Sequence, residues 1–493
     1  MSTSETVRTR WILGGTALFA MAWAVARAMV QSITIDEAVS YNLFAVRHLY
    51  LWYSANNHIL NSALMYGFTR ILGLSQFTAR LPALLGAALY IWAAYRLVRL
   101  LGASLLVQLT VFLCLVFNPF IFDHLVAARG YGLALAFLMW AIVYSAESHL
   151  RERSLAEACV VSSLCAGLSV SANFSFAFVN LAAMTAILLC AWRQRPKEKV
   201  RLFAACTLPG AATFAIVSSY ALLHLRSGEL IYGAHSLGEA FGSILEASLF
   251  QNRFVFLAPF VFPLVGLTGL LWLSYLLSRR VNAKIAPLGW AAAAIFAATV
   301  ALHWLAFRLF GLLLPKDRTA IYLFPLFMIA AGVLVAIPPP SRPGRWLRTA
   351  FLAALVFMAT YFVFCLRLTY FKEWQWDADV QKAYSVLACL NRTHQVTRVA
   401  SSWSYRGPLN FYQFAQPTSM QDIDENFDPQ QTQVYVADPI NASAAWQGAR
   451  QRAVQSKDLK IFYHAPATDL VLAASPQLAD VLASGPCIAR PAP

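Results

Sequence analysis

Charge is scarce in this sequence. Of its 493 residues 12% are Asp, Glu, Lys or Arg, about half of what a soluble domain carries. Hydrophobic residues make up 59%, and the mean hydropathy is +0.57. Long apolar runs are spread over most of the chain, which excludes a soluble protein with a single anchor. Acid is scarcer still. Only three aspartates, Asp36, Asp123 and Asp317, occur before residue 370. Cysteine is no framework either: six of the eight, Cys114, Cys159, Cys165, Cys190, Cys206 and Cys365, lie within or beside apolar runs, where a thiol behaves as a small hydrophobe. Internal repeats and low-complexity tracts are absent, and no signal-peptide cleavage pattern precedes the first run. Trp11 to Val30 is long enough to span a bilayer, with Arg8 and Arg10 just before it, and reads as a retained first span.

What charge there is has a direction. Lys and Arg number 38 against 23 Asp and Glu, a net of +15. Residues 370–493 are close to neutral, so the excess lies in the apolar part. It recurs there in clusters: Arg8/Arg10, Arg96/Arg99, Arg151/Arg153, Arg193 to Arg201, Arg279 to Lys284 and Arg342 to Arg348. A nucleic-acid surface would be one basic face with interleaved aromatics, and that pattern is missing. Clusters between apolar runs are what the positive-inside rule produces. Placing each in the cytoplasm predicts about eleven spans, near 11–30, 81–100, 102–119, 130–147, 155–172, 175–192, 202–223, 254–277, 286–309, 319–337 and 347–369. The C-terminus then lies outside.

Three stretches fall on the external side. Residues 31–80 contain an apolar helical pattern from His58 to Gly73, too short to span and suited to the interface. Residues 224–253 contain a second such pattern near Leu237 to Phe250. The third begins at about Tyr370. It is polar, with strand-like runs at Thr397 to Trp403, Thr432 to Asp438 and Leu459 to Ala465, and helical pattern around Asp379 to Leu390. The expected organisation is a polytopic α-helical membrane domain, 1–369, followed by a small extracytoplasmic α/β domain, 370–493. Cys389 and Cys487 fall in that second domain. An oxidising compartment would allow them to pair; two unrelated buried thiols are the alternative.

All three early aspartates fall at the external ends of predicted spans, where an acid is a functional candidate. Glu37 adjoins Asp36. Arg80, Arg129, Lys316 and Arg318 lie on the same side, against the positive-inside trend. Acids beside cations at an interface suit a phosphate-bearing lipid, the cations holding phosphate and a carboxylate accepting a hydroxyl proton. Simpler readings stand beside this one. Asp36–Glu37 would cap an interfacial helix, Arg80 would anchor the second span by snorkelling, Asp123 would be a turn residue after Asn118-Pro119, and Asp317 would neutralise Lys316 or Arg318.

The segments ITIDEAVSYNLF, NNHILNSALMYGF and FTARLPALLGAALYIWAAYRLVRLLG, in that order, resemble the opening of the GT-C membrane glycosyltransferases, in the branch of protein O-mannosyltransferases and lipid A aminoarabinose transferases. NPFIFDHLVAARGYGLALAF resembles that family's second external turn, KDRTAIYLFPLF its Arg-containing entry to a late span, and SYRGPLNFY a segment of the bacterial members' C-terminal domain. The resemblance implies transfer of a sugar from a polyprenyl-phosphate donor to an acceptor hydroxyl on a lipid, glycan or protein by single displacement, at the outer face of a bacterial inner membrane. It implies Asp36 as acceptor base, with Glu37 and Asp123 as further catalytic acids. Arg129, Lys316 and Arg318 are implied near the donor phosphate, and His58, Asn61 and Tyr131 along the substrate. No cofactor is expected. The first motif is Asp-Glu rather than Asp-x-Asp, so a metal is not expected either, although wider relatives use a divalent ion. Transporters and flippases compete with this reading, but the spans' interiors hold almost no charge and no inverted repeat is visible. A polymer ligase competes too, yet a ligase would place its key Arg and His in a large late external loop.

Overall fold

The computed structural model describes residues 3–49, 51, 54, 56–151, 154–223, 232–250, 254–281, 283–428, 430–437 and 459–489. The ends of the second expected external stretch (224–231 and 251–253), Arg153 and Asp438 lie outside these.

Among the described residues nine helices are long and apolar enough to cross a membrane. They include α1 (Thr3–Val30), and a bent pair of helices taken as one span makes ten, against the eleven expected. The third predicted span is not one straight helix. α5 (Leu105–Phe117) stops at Asn118-Pro119 and α6 (Pro119–Val126) leaves at 56° to it. Proline has no N–H to continue the ladder, and the Asn118 side chain accepts from the N–H groups of Phe120 and Ile121, capping the new helix. Asp123 is thus a residue of a short helix after a bend, not of a turn. The tenth predicted span falls on α14 (Leu323–Ala336), an apolar helix of 14 residues that is too short to cross a bilayer by itself. The protein is a multi-pass membrane protein.

The chain divides into two compact units. The first holds residues 1–26, 51–61 and 82–366. In it α7 (Tyr131–Arg151) packs on α8 (Leu155–Ala172), and α8 on α10 (Lys199–Leu223). α9 (Ala177–Gln194) packs on α13 (Ala286–Phe310), and α13 on α14. α12 (Ala258–Ser278) packs on α15 (Arg342–Phe364), which also covers α5. α11 (Leu237–Ser248) is the second predicted interfacial helix, opened by Ser236, whose hydroxyl accepts the Glu239 N–H.

The second unit joins residues 27–50 and 62–81 to the polar tail from Arg367. It contains α2 (Ile35–Val39), which runs into a wider π-type helix at Ser40–Arg47, and most of α3 (Ile59–Leu72), the first predicted interfacial helix. It also holds the first turns of α4 (Gln76–Leu100). The three strand-like runs of the tail are β1 (Val399–Ser401), β2 (Val434–Ala437) and β3 (Lys460–His464). A fourth strand, β4 (Val471–Ala474), completes a sheet of order β1-β2-β4-β3, with β1 and β2 parallel and the other pairs antiparallel. Both β2 and β4 are buried on both faces. α16 (Val380–His394) and α17 (Trp403–Ala415) pack together, and α2 packs on α17. Cys389 on α16 is bonded to Cys487, with Cα atoms 5.8 Å apart.

Candidate functional site

The predicted site residues fall into two groups, one in each unit. In the second unit Thr34, Asp36 and Glu37 open α2. Glu37 N–H donates to the Thr34 hydroxyl at 3.2 Å, and Thr34 N–H donates to Glu37 Oε2 at 2.9 Å, a reciprocal capping box. Arg80 then claims the same carboxylate. Its Nε donates to Oε1 at 2.8 Å and its Nη2 to Oε2 at 2.7 Å, with both side chains fully buried. The remaining guanidinium hydrogens go to the carbonyls of Ala28, Gln31 and Ser32, and the group lies 5.2 Å from the Phe371 ring centre. Glu37, expected as a second catalytic acid, is therefore the partner of a buried arginine. Arg80 does not snorkel; it is the hub that holds the loop before α2. Asp36, one residue earlier on α2, is half-buried and takes no part in the box.

A residue that sequence reasoning passed over completes this group. Asp377 is 1% exposed, and its Oδ2 accepts the Ile35 N–H at 2.8 Å. Burial pushes its carboxyl well above the usual carboxylate range; the Ile35 bond opposes this, and the charges of Asp36 and Glu37 add to it. Tyr412, within SYRGPLNFY, is fixed nearby. The Ile33 N–H donates to its hydroxyl at 2.9 Å, and that hydroxyl donates to Gln76 Oε1 at 2.6 Å. In the sequence Asp377 is one of many acids in a polar tail, so no contrast marked it.

The second group belongs to the first unit. His58 precedes α3 directly, and Asn61 Nδ2 on that helix donates to the Ala128 carbonyl at 3.0 Å. This bond ties the segment to the Ala-Arg-Gly-Tyr turn between α6 and α7. Gly130 has φ +74, and a Cβ there would meet His58 Cβ at 2.9 Å and the Ala172 carbonyl besides. Only glycine fits such a conformation and such closeness. Arg129 is fully buried and its Nη2 donates to Asn56 Oδ1. The rings of His58 and His124 stand 5.3 and 5.1 Å from that of Tyr131. Asp123 is buried on α6.

His58 is 5% exposed, and neither ring nitrogen has a hydrogen-bond partner among the described residues. Burial first, then the charges of Arg129 and Arg318, hold its pKa well below the ordinary histidine range. The ring is a neutral donor and acceptor facing two cations. Arg318 follows Asp317, whose φ is +47, and its guanidinium lies 5.4 Å from the Tyr232 ring centre. Asp317 accepts the Tyr232 hydroxyl at 2.8 Å and donates its N–H to Ser243 Oγ at 2.8 Å. It anchors the Arg318 segment to α11, and its charge also acts on the neighbouring Lys316. Lys316 Nζ is 2.7 Å from Glu239 Oε1, a partly exposed pair that lowers the carboxyl's pKa and raises the ammonium's. Among the described residues no three His, Cys, Asp or Glu side chains group as a metal site.

No protein-family model matches the sequence, and no curated protein matches it. Solved structures do. The apo structure of ArnT from Cupriavidus metallidurans is similar with a TM-score of 0.52 at 11% identity, over 97% of this chain and 100% of that one. ArnT is a lipid A aminoarabinose transferase, a GT-C glycosyltransferase. This chain has the GT-C fold. ArnT of the same organism bound to undecaprenyl phosphate gives 0.49 at 11% identity, over 95% and 99%. The arabinosyltransferase EmbB from Mycobacterium smegmatis gives 0.43 at 17% identity, over 66% of this chain and 30% of that one.

Proposed function

We infer that this protein is a glycosyltransferase which moves a sugar from a polyprenyl-phosphate donor to an acceptor hydroxyl, at the extracytoplasmic face of a bacterial inner membrane. The observation that carries the reading is His58. A buried neutral imidazole with neither nitrogen partnered among the described residues, in the field of Arg129 and Arg318, is prepared for a polar anionic guest, and it occurs on a GT-C fold.

The reaction is a single displacement. The acceptor oxygen attacks the anomeric carbon, and Asp36 takes the hydroxyl proton. The bond from that carbon to the phosphate oxygen breaks, and its electron pair leaves with polyprenyl phosphate. Arg129 and Arg318 match the growing charge on the departing monophosphate, a task for which no metal is required. His58, Asn61 and Tyr131 line the donor's path. Asp123 stands as a second acid. Lys316 would have to leave Glu239 to reach a phosphate, so the two arginines carry that role. The acceptor is a lipid, glycan or protein.

The test uses the purified chain in detergent with a polyprenyl-phosphate sugar and a membrane extract as acceptor. Release of polyprenyl phosphate, undiminished by a chelator, is the expected result. Movement of intact donor across a vesicle membrane without bond cleavage would replace this reading with a flippase.

A further inference from the structure

α12 and α13 are joined by a short turn, yet they pack on different partners, α15 and α14 respectively. Between them lies a groove of about 570 Å³. Its walls are apolar, with Gly266, Leu270 and Leu273 on one side, Trp290 on the other, and Phe327 and Leu334 at the floor. Leu270 and Trp290 remain more than half exposed. Gly266 lines it, and a Cβ there would meet nothing within 4 Å, so a larger side chain at this position has open space to enter.

One end of the groove is charged. Arg280 lines it directly, and Arg279 and Lys284 belong to the same turn. The Tyr275 hydroxyl of α12 contacts that of Ser341, the N-cap of α15, which brings Arg342 and Arg345 to this end. Between residues 247 and 372 the sequence contains one acid, Asp317, already engaged by Tyr232 and Ser243 on α11's side. The patch therefore has no internal counter-charge in this part of the chain.

We propose that this groove is a site for an anionic phospholipid, an acyl chain lying along α12 and α13 and the phosphate held at Arg280 and Lys284. The apolar length suits a hydrocarbon chain, and the end suits a negative headgroup. Attraction of this kind is worth about fivefold in affinity per cation. The site is separate from the His58 group and independent of the sugar-transfer reading.

The full-length chain, purified and stripped of lipid, is titrated with dioleoyl phosphatidylglycerol and with dioleoyl phosphatidylcholine. Bound lipid is counted by native mass spectrometry, and the unfolding midpoint is followed. Phosphatidylglycerol should bind once per chain, raise the midpoint, and outbind phosphatidylcholine by about 25-fold. In the Arg280→Gln/Lys284→Gln double variant that preference should vanish. Gly266→Trp should lose the response while its lipid-free midpoint stays near wild type. Equal binding of the two lipids overturns the proposal, as does a double variant that keeps its preference, and this decides whether or not Gly266→Trp folds. One-for-one displacement of phosphatidylglycerol by undecaprenyl phosphate also overturns it, assigning the groove to a polyprenyl lipid.

Discussion

Asp377 accepts the backbone N–H of Ile35 at 2.8 Å, so an acid of the C-terminal segment holds the residue just before Asp36. Its carboxyl keeps its proton to a higher pH in the folded chain than in the unfolded one. The folded state then binds more protons, and stability falls as pH rises from near 4, the unfolded value, up through the folded value. Asp377→Asn keeps an oxygen for Ile35 and removes the ionisation. Its unfolding midpoint between pH 4 and 8 should decline less than that of wild type. Parallel declines would show that Asp377 ionises freely.

Asp36→Asn should fold and bind donor normally but lose about 10²–10⁴-fold in turnover, the usual contribution of a positioned base. Single-turnover release of polyprenyl phosphate reads this directly. Near-normal turnover would remove Asp36 from the chemistry.

Glu37 and Arg80 should behave as structure. Removing one partner of a fully buried pair leaves an uncompensated charge, at about 3–5 kcal/mol. Arg80→Ala should lower the unfolding midpoint sharply. Glu37→Gln should reduce turnover less than Asp36→Asn does. A Glu37→Gln protein of normal stability with turnover as low as that of Asp36→Asn would return Glu37 to catalysis.

Arg129→Ala and Arg318→Ala should weaken donor binding by about one to two orders of magnitude, the size of a lost charge-assisted phosphate contact. Lys316→Ala should do less, because Glu239 already engages its ammonium. Equilibrium binding of a polyprenyl-phosphate sugar separates these. Unchanged affinity with poor folding yield would make the arginines anchors.

The membrane part was legible because apolar runs and basic clusters are properties of contiguous sequence. The bend at Asn118-Pro119 was not read as one. A Pro at the start of a helix and a Pro that ends a span look alike until the direction of the next helix is known. β4, Val471–Ala474, went unread because four apolar residues fit a strand or a buried turn equally. Asp36, Arg129 and Arg318 stood out by rarity. Asp377 did not, and its tie to Ile35 spans 342 residues. The setting of Glu37 was hidden for the same reason: adjacency to Asp36 is visible in the sequence, and the grip of Arg80, 43 residues on, is not.

The bridge from Cys389 to Cys487 should stabilise the C-terminal segment by at most about 4.7 kcal/mol, the chain-entropy figure for a loop of this size. Cys389→Ser/Cys487→Ser, or reductant on wild type, should lower the unfolding midpoint followed by hydrogen exchange at β2 and β4. No change would make the bond ornamental to stability.

That same bond sets an order in time. Cys487 trails Cys389 by 98 residues, which a ribosome working at about 5–20 residues per second needs about 5–20 s to add. Through that interval the earlier cysteine is a lone thiol on a nascent helix, open to a passing oxidant, a foreign thiol or an oxidoreductase. The sheet strands β1 to β4 all lie between the two, so the clasp closes only after the whole sheet has been made.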